Sequence, residues 1–163
     1  MGFNSGPPMV PSAYNNNVQI VQTAAYVVLL NEMVHNARIV PLDGKAHSNV
    51  PQWIGEPVAH WDGDTLVIES KNFRRNTSLR GSSPNMRLTE RFKRVDADSL
   101  LYTFTVDDPT TWTKPWTAEV PMVKAEGQIY EYACHEGNYG MQGILTGARA
   151  VEQKAGANKT SSR

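Results

Sequence analysis

Residues 86–106, MRLTERFKRVDADSLLYTFTV, decide how this chain is read. From Met86 to Val95 the residues alternate. Leu88, Glu90 and Phe92 share one face, and Arg87, Thr89, Arg91 and Lys93 share the other, because strand side chains point to opposite sides with a period of two. Asp96-Ala97-Asp98-Ser99 then turns the chain into a second strand, Leu100 to Val106. The pattern repeats outward from this hairpin. Val58–Trp61, the turn Asp62-Gly63-Asp64 and Thr65–Glu69 form the clearest hairpin in the sequence. Ala24–Leu30 and Ala37–Leu42 are strands upstream, the second closed by Asp43-Gly44. Trp116–Lys124, the turn Glu126-Gly127 and a last strand, Gln128–Cys134, lie downstream. One stretch has helical spacing, Tyr139 to Glu152, with Met141, Ile144, Leu145, Ala148 and Val151 on one side and Gly140, Gly143 and Gly147 weakening it.

About eight strands joined by tight turns predict a mainly β protein. An antiparallel meander of this length has two edges to protect. Closing it as a small lipocalin/calycin-like β-barrel with a C-terminal helix protects both; a β-sandwich is the alternative. The expected organisation is a flexible N-terminal arm over residues 1–17, a single barrel domain over 18–152 and a disordered tail over 153–163. The arm is inferred from its Gly, Pro, Ser and Asn content.

Composition narrows the function classes. The chain has 163 residues, 40% of them apolar, and zero formal net charge. That suits one folded domain and argues against a large basic face for nucleic acid or an anionic membrane. No apolar run approaches the ~18 residues of a membrane span. Cys134 is the single cysteine, so an intrachain disulfide and a thiolate-rich zinc site are both excluded. The four histidines show no HxH or HxxxH spacing, and no metal site is expected. There is no G-x-S-x-G elbow and no glycine-rich phosphate loop, so no cofactor is expected either. Met1–Pro8 lacks the basic start and apolar core of a signal peptide. Met1-Gly2 matches a myristoylation opening, but Gly6 followed by Pro7 and Pro8 does not.

The chemistry-bearing stretch is IYEYACHEGNYG, residues 129–140. In a strand, Glu131, Ala133 and His135 share one face, and Tyr130, Tyr132 and Cys134 the other. Facing a barrel interior, Glu131 becomes a general acid or base with a raised pKa, and His135 a proton-transfer group at the mouth. Their Cα atoms would lie ~13 Å apart and flank a substrate. The plainer reading pairs Glu131 with an arginine and uses His135 to Asn138 as a helix cap. Glu90, between Leu88 and Phe92, points inward and must be paired, protonated or solvated. It is either an acid–base group or half of a salt bridge to Arg38 or Arg91. Arg38 and His35 can clamp an anion, and Tyr130, Tyr132 and Tyr139 can stabilise developing oxyanion charge. Trp112 and Trp116 sit where a mouth loop is expected, to stack on a flat ligand or to plug the barrel. The candidate catalytic set is therefore His135, Glu131, Glu90 and Tyr132. The candidate substrate-binding set is Arg38, His35, Trp112, Trp116, Tyr130, Asn138 and Tyr139. Cys134 reads as a small core residue.

Several strings resemble an uncharacterised family of bacterial, usually exported proteins. They are Gln52–Gly55, Trp61–Ile68, Asn72-Phe73, Glu90–Asp96, Val106–Pro109, Trp112–Thr117 and Tyr130–Gly140, and the resemblance covers roughly residues 18–150. It implies export to the periplasm or outside the cell, and an export signal and further segment ahead of the part seen here. It implies no particular reaction. The residues themselves predict a small-molecule-binding barrel that acts as a cofactor-free acid–base enzyme, a lyase, isomerase or hydrolase for a small aromatic or carbohydrate-derived substrate. The alternative is a non-catalytic carrier of a small apolar ligand. The expected partner is that small molecule, with no nucleic acid and no membrane, and with a homodimer left open.

Overall fold

The computed structural model describes residues 6–12, 14–75, 79, 81–132 and 139–160, the last seven as backbone. Two compact units divide the chain, Met1–Tyr132 and Ala133–Arg163. The first holds the β structure. Strands β1 (Val18–Gln22), β2 (Tyr26–Asn31) and β3 (Asn36–Pro41) form a three-stranded sheet in that order. Strands β4 (Glu56–Asp62), β5 (Thr65–Lys71), β6 (Arg87–Arg94), β7 (Ser99–Asp107) and β8 (Trp116–Val123) form a five-stranded sheet, also in chain order. Every neighbouring pair is antiparallel. The second unit contains one helix, α1 (Gly140–Thr160), whose Met141, Ile144 and Val151 are exposed.

The alternation read from the sequence sets the inner faces. Leu88, Glu90 and Phe92 of β6 are buried, as are Tyr102, Phe104 and Val106 of β7. Opposed residues of antiparallel strands share a face, and the register places Glu90 beside Phe104 and Phe92 beside Tyr102. Val27 and Leu29 of β2 and Val40 of β3 join the same core, so the two sheets share one interior.

Four expectations are corrected. The closed barrel does not form: among the described residues no ladder joins β3 to β4 or β8 to β1. Among the described residues there are eight strands, the number expected from the sequence, but their membership differs. Val18–Gln22 is a strand that the reading missed, and the described part of the expected last strand, residues 128–132, is not one. There the backbone N–H groups of Tyr130 and Tyr132 donate to side chains, Glu32 Oε1 at 3.3 Å and His35 Nδ1 at 3.1 Å, in place of a ladder. The N-terminal stretch is not a loose arm throughout, since residues 6–9 are buried and Met9 is part of the core. Finally, the helix continues through Thr160, past the expected start of a disordered tail at residue 153.

The outer faces of the two sheets differ. On the five-stranded sheet, Glu69, Arg91, Lys93, Thr103 and Glu119 point outward. The three-stranded sheet turns Val21, Tyr26, Val28 and Ile39 outward, and residues 1–31 contain no Asp, Glu, Lys or Arg at all.

Candidate functional site

Arg38 and Glu90 join the two sheets through the core. The guanidinium donates from Nη1 to Glu90 Oε2 at 2.6 Å and from Nη2 to Oε1 at 2.9 Å, and both side chains are almost wholly buried. Tyr102 Oη donates to Glu90 Oε1 at 2.7 Å and accepts from the backbone N–H of Met9 at 3.0 Å. Burial opposes the charge on Arg38, but the Glu90 carboxylate more than offsets it, and the guanidinium pKa is raised. Burial and the Glu90 charge push the Tyr102 phenol well above its ordinary value. A bidentate, fully hydrogen-bonded pair of this kind fixes geometry. Its carboxylate is already engaged by a cation and a phenol. The salt-bridge reading of Glu90 is the one the geometry supports, with Arg38 as its partner and not Arg91, which reaches Asp62 at 3.1 Å.

Beside this network the inner face is filled by aromatic rings. Phe92–Tyr102, Tyr102–Phe104, Phe104–Trp116 and Trp112–Trp116 follow one another at centroid distances of 4.8, 5.7, 5.7 and 5.8 Å. Trp112 and Trp116 are half-buried, cross edge to face and pack against the core. With no closed barrel among the described residues there is no mouth for them to line or plug, and the pair belongs to the core packing. Trp116 Nε1 is buried with no hydrogen-bond partner among the described residues.

The open space lies elsewhere. A groove of about 1020 Å³ runs between the unpaired edges of β1 and β8. Val18, Ile20, Val120 and Met122 give it apolar walls, and His35, Asn17 and the charged Arg94, Asp98, Lys124 and Glu126 also line it. Its His35 wall is built under strain. Val34 and His35 have φ of +62° and +49°, a region that a β-branched residue such as Val34 occupies only when its surroundings force it, at about 1–3 kcal/mol each. The surroundings are visible. Glu32 is buried and accepts from Asn17 Nδ2 at 2.9 Å as well as from the Tyr130 N–H. His35 Nδ1 accepts from the Tyr132 N–H, so this nitrogen carries no proton here.

Of the remaining candidates, Glu131 and Tyr130 are exposed and Tyr132 is half-buried. Tyr139, in the second unit, is 75% exposed. His135 and Asn138 lie outside the described residues. Among the described residues the structure brings together Arg38 with Glu90, His35 with Tyr132, and Trp112 with Trp116, and it separates buried Glu90 from exposed Glu131. Among the described residues no group of three or more His, Cys, Asp or Glu is placed to hold a metal.

Two anchoring carboxylates were missed by sequence reasoning. Asp108 accepts from Ser83 N and Oγ, Thr110 N and Oγ1, and Thr111 Oγ1. Burial raises its pKa, but these donors outweigh that and hold it far below the ordinary carboxylate range. It ties the 81–86 segment to the end of β7. Glu56 accepts from Ser48 N at 2.9 Å and Asn72 Nδ2 at 2.7 Å; again burial is outweighed by the donors, and the pKa is lowered. The available signal was Ser and Thr clustered around Asp108 in Ser82-Ser83-Pro84 and Asp108-Pro109-Thr110-Thr111, a pattern of side chains that bond nearby backbone.

Compared with known proteins, the chain matches no family model, no curated protein and no solved structure.

Proposed function

We propose that the first unit is a binding domain for a small, largely apolar molecule held in the groove between β1 and β8, within a sandwich-like pair of sheets. One observation carries this reading: about 1020 Å³ of open space with Val18, Ile20, Val120 and Met122 on its walls and Arg94, Asp98, Lys124 and Glu126 also in its lining. Ligand sites are concave, mostly apolar and furnished with a small number of orienting polar groups. Here the oriented group is His35, whose ring is fixed by its bond from the Tyr132 N–H. The acid–base enzyme reading has less support, because Glu90 is engaged by Arg38 and Tyr102 and because Glu131 is exposed. Proton transfer needs at least two suitable groups converging on one point of a cavity. Export and membership of the bacterial family described above rest on the motif resemblance alone.

The test uses 2-naphthol, a neutral aromatic probe, in equilibrium binding with the full chain. Wild type should bind saturably, and Met122→Glu should weaken binding at least tenfold with unchanged far-UV circular dichroism. Trp53→Ala, an exposed residue outside the groove, should leave affinity unchanged. Equal binding by wild type and Met122→Glu would remove the groove from the account.

A further inference from the structure

Two acceptors of different kinds tie the 130–132 strap to the turn after β2. The Tyr130 N–H donates to Glu32 Oε1 at 3.3 Å, and the Tyr132 N–H donates to His35 Nδ1 at 3.1 Å. Acid acts differently on each. A carboxyl group that takes up a proton keeps acceptor capacity, whereas an imidazolium donates from both nitrogens and accepts at neither. Turning the ring over does not rescue the bond, because Nε2 of the imidazolium carries a proton as well. The ring is exposed, so solvent protons reach it. The turn itself does not depend on the ring. The His35 N–H closes it on Glu32 O at 3.2 Å, and Asn17 donates to the Glu32 carboxylate from Nδ2 at 2.9 Å.

We propose that His35 is an acid-released latch: its neutral ring holds Tyr132, and its protonated ring lets Tyr132 go while Glu32 keeps Tyr130. The direction follows from the acceptor. The bond is complete while Nδ1 is bare and is lost as pH falls and the ring takes up a proton. His35 also lines the groove between β1 and β8, so the same event unties the ring there and adds a positive charge to the lining. The charged and titratable groups around the latch are Glu32 on its own turn, Tyr130 and Tyr132 on the strap, and Arg94, Asp98, Lys124 and Glu126 in the groove. Lys124 pairs with Asp98 at 3.5 Å, and Arg94 Nη1 donates to Ala97 O at 3.2 Å. Among these residue types only imidazole ordinarily changes charge between pH 5 and 8. The latch needs no ligand in the groove and does not rest on that reading.

The test is solvent exchange of backbone amides by NMR on the ¹⁵N-labelled full chain, each rate divided by the intrinsic rate at the same pH. In wild type, Tyr132 protection should fall at least about fivefold between about pH 7.5 and about pH 5. Its midpoint should coincide with the titration of the His35 ring proton on Cε1. Protection at Ile68, in the core, should not change. His35→Asn tolerates the left-handed backbone and offers an amide oxygen that accepts at every pH, so Tyr132 should stay protected throughout. His35→Ala should leave Tyr132 unprotected at both ends of the range. If the alanine variant fails to fold, the asparagine variant still decides. A wild-type Tyr132 amide that is unprotected at pH 7.5, or equally protected at both ends, overturns the proposal. So does a ring that does not titrate in this range. A fall as large in His35→Asn as in wild type would assign the effect to another group and also overturn it.

Discussion

The three-stranded and five-stranded sheets follow the same alternation and meet in one core, yet of their outer faces only that of the larger one carries charged side chains among the strand residues described. The larger sheet is apolar within except for Glu90, and its outer face mixes charged Glu69, Arg91, Lys93 and Glu119 with Val58, Leu101 and Val123. The smaller one carries Arg38 and Asn31 on its inner face and a Val21–Val28–Ile39 row on its outer face, and the segment that encodes its first two strands carries no charge. The larger sheet also holds its own connections in place, through Asp108 on the 81–86 segment and Asn72 on Glu56 and Ser48. The smaller one borders the strained Val34–His35 turn and the open groove. Anchored connections and surface charge thus sit in one half of the unit, and the strained turn and the groove border the other.

The Arg38–Glu90 pair is where the halves are tied, and removing one partner should give the largest effect. Glu90→Leu leaves a buried guanidinium unpaired and should destabilise by about 3–5 kcal/mol in urea unfolding. Arg38→Met combined with Glu90→Leu should recover most of that loss, because the desolvation penalty disappears with the charges. A double variant no more stable than Glu90→Leu would mean that the tie is more than electrostatic.

Gly55→Ala probes the loop packed beside β4. Gly55 has φ +77°, and an added Cβ would lie 2.6 Å from the Phe73 ring. Strain and overpacking should together cost about 2–3 kcal/mol, read as a lowered urea midpoint. Tyr102→Phe removes a hydroxyl that bonds both Glu90 and Met9. It should cost about 1–2 kcal/mol and increase amide exchange at Met9 specifically.

Asp108 should make the larger sheet acid-sensitive. Its folded pKa lies below the unfolded value, so its contribution is complete above the ordinary carboxylate range and is lost as pH falls below about 4. Asp108→Asn should be less stable than wild type at pH 7, and the gap should narrow in urea melts as pH is lowered through that range. The smallest effect belongs to the charged outer face. Lys93 and Asp64 approach only to 3.9 Å and both are well exposed. Lys93→Ala should change stability by less than about 0.5 kcal/mol, which separates surface charge from the buried pair as a source of stability.

Much of the five-stranded sheet was legible in the sequence, because its strands alternate and its turns carry Asp-Gly-Asp or Asp-Ala-Asp-Ser signals. The inward direction of Glu90 followed from the same alternation, and Arg38 was already one of its two proposed partners. What could not be read was which edges pair. Ladder pairing is a long-range property, and the alternating Ile129–Tyr132 string has the local character of a strand. The N–H groups of Tyr130 and Tyr132 are taken by Glu32 and His35, almost a hundred residues away, so local propensity was overridden and, among the described residues, no ladder closes the barrel. The same event takes Glu131 and Tyr132, two of the four expected catalytic residues, out of any lumen wall, and His135 lies outside the described residues. Glu131, Tyr130 and Tyr132 were grouped by sequence proximity, and that grouping depended on their being a strand of the lumen wall. β1 was missed because Val18-Gln19-Ile20-Val21-Gln22 is short and follows a Pro- and Asn-rich stretch that reads as loop.

The central claim is that the gap between β1 and β8 is a ligand site. Titrating the ¹⁵N-labelled full chain with 2-naphthol and following amide chemical shifts tests it most directly. The account predicts saturable shifts concentrated at Val18, Ile20, Val120 and Met122, with His35 ring signals moving in step. Shifts confined to Val21, Val28 and Ile39 on the outer face, or none at all, would contradict it.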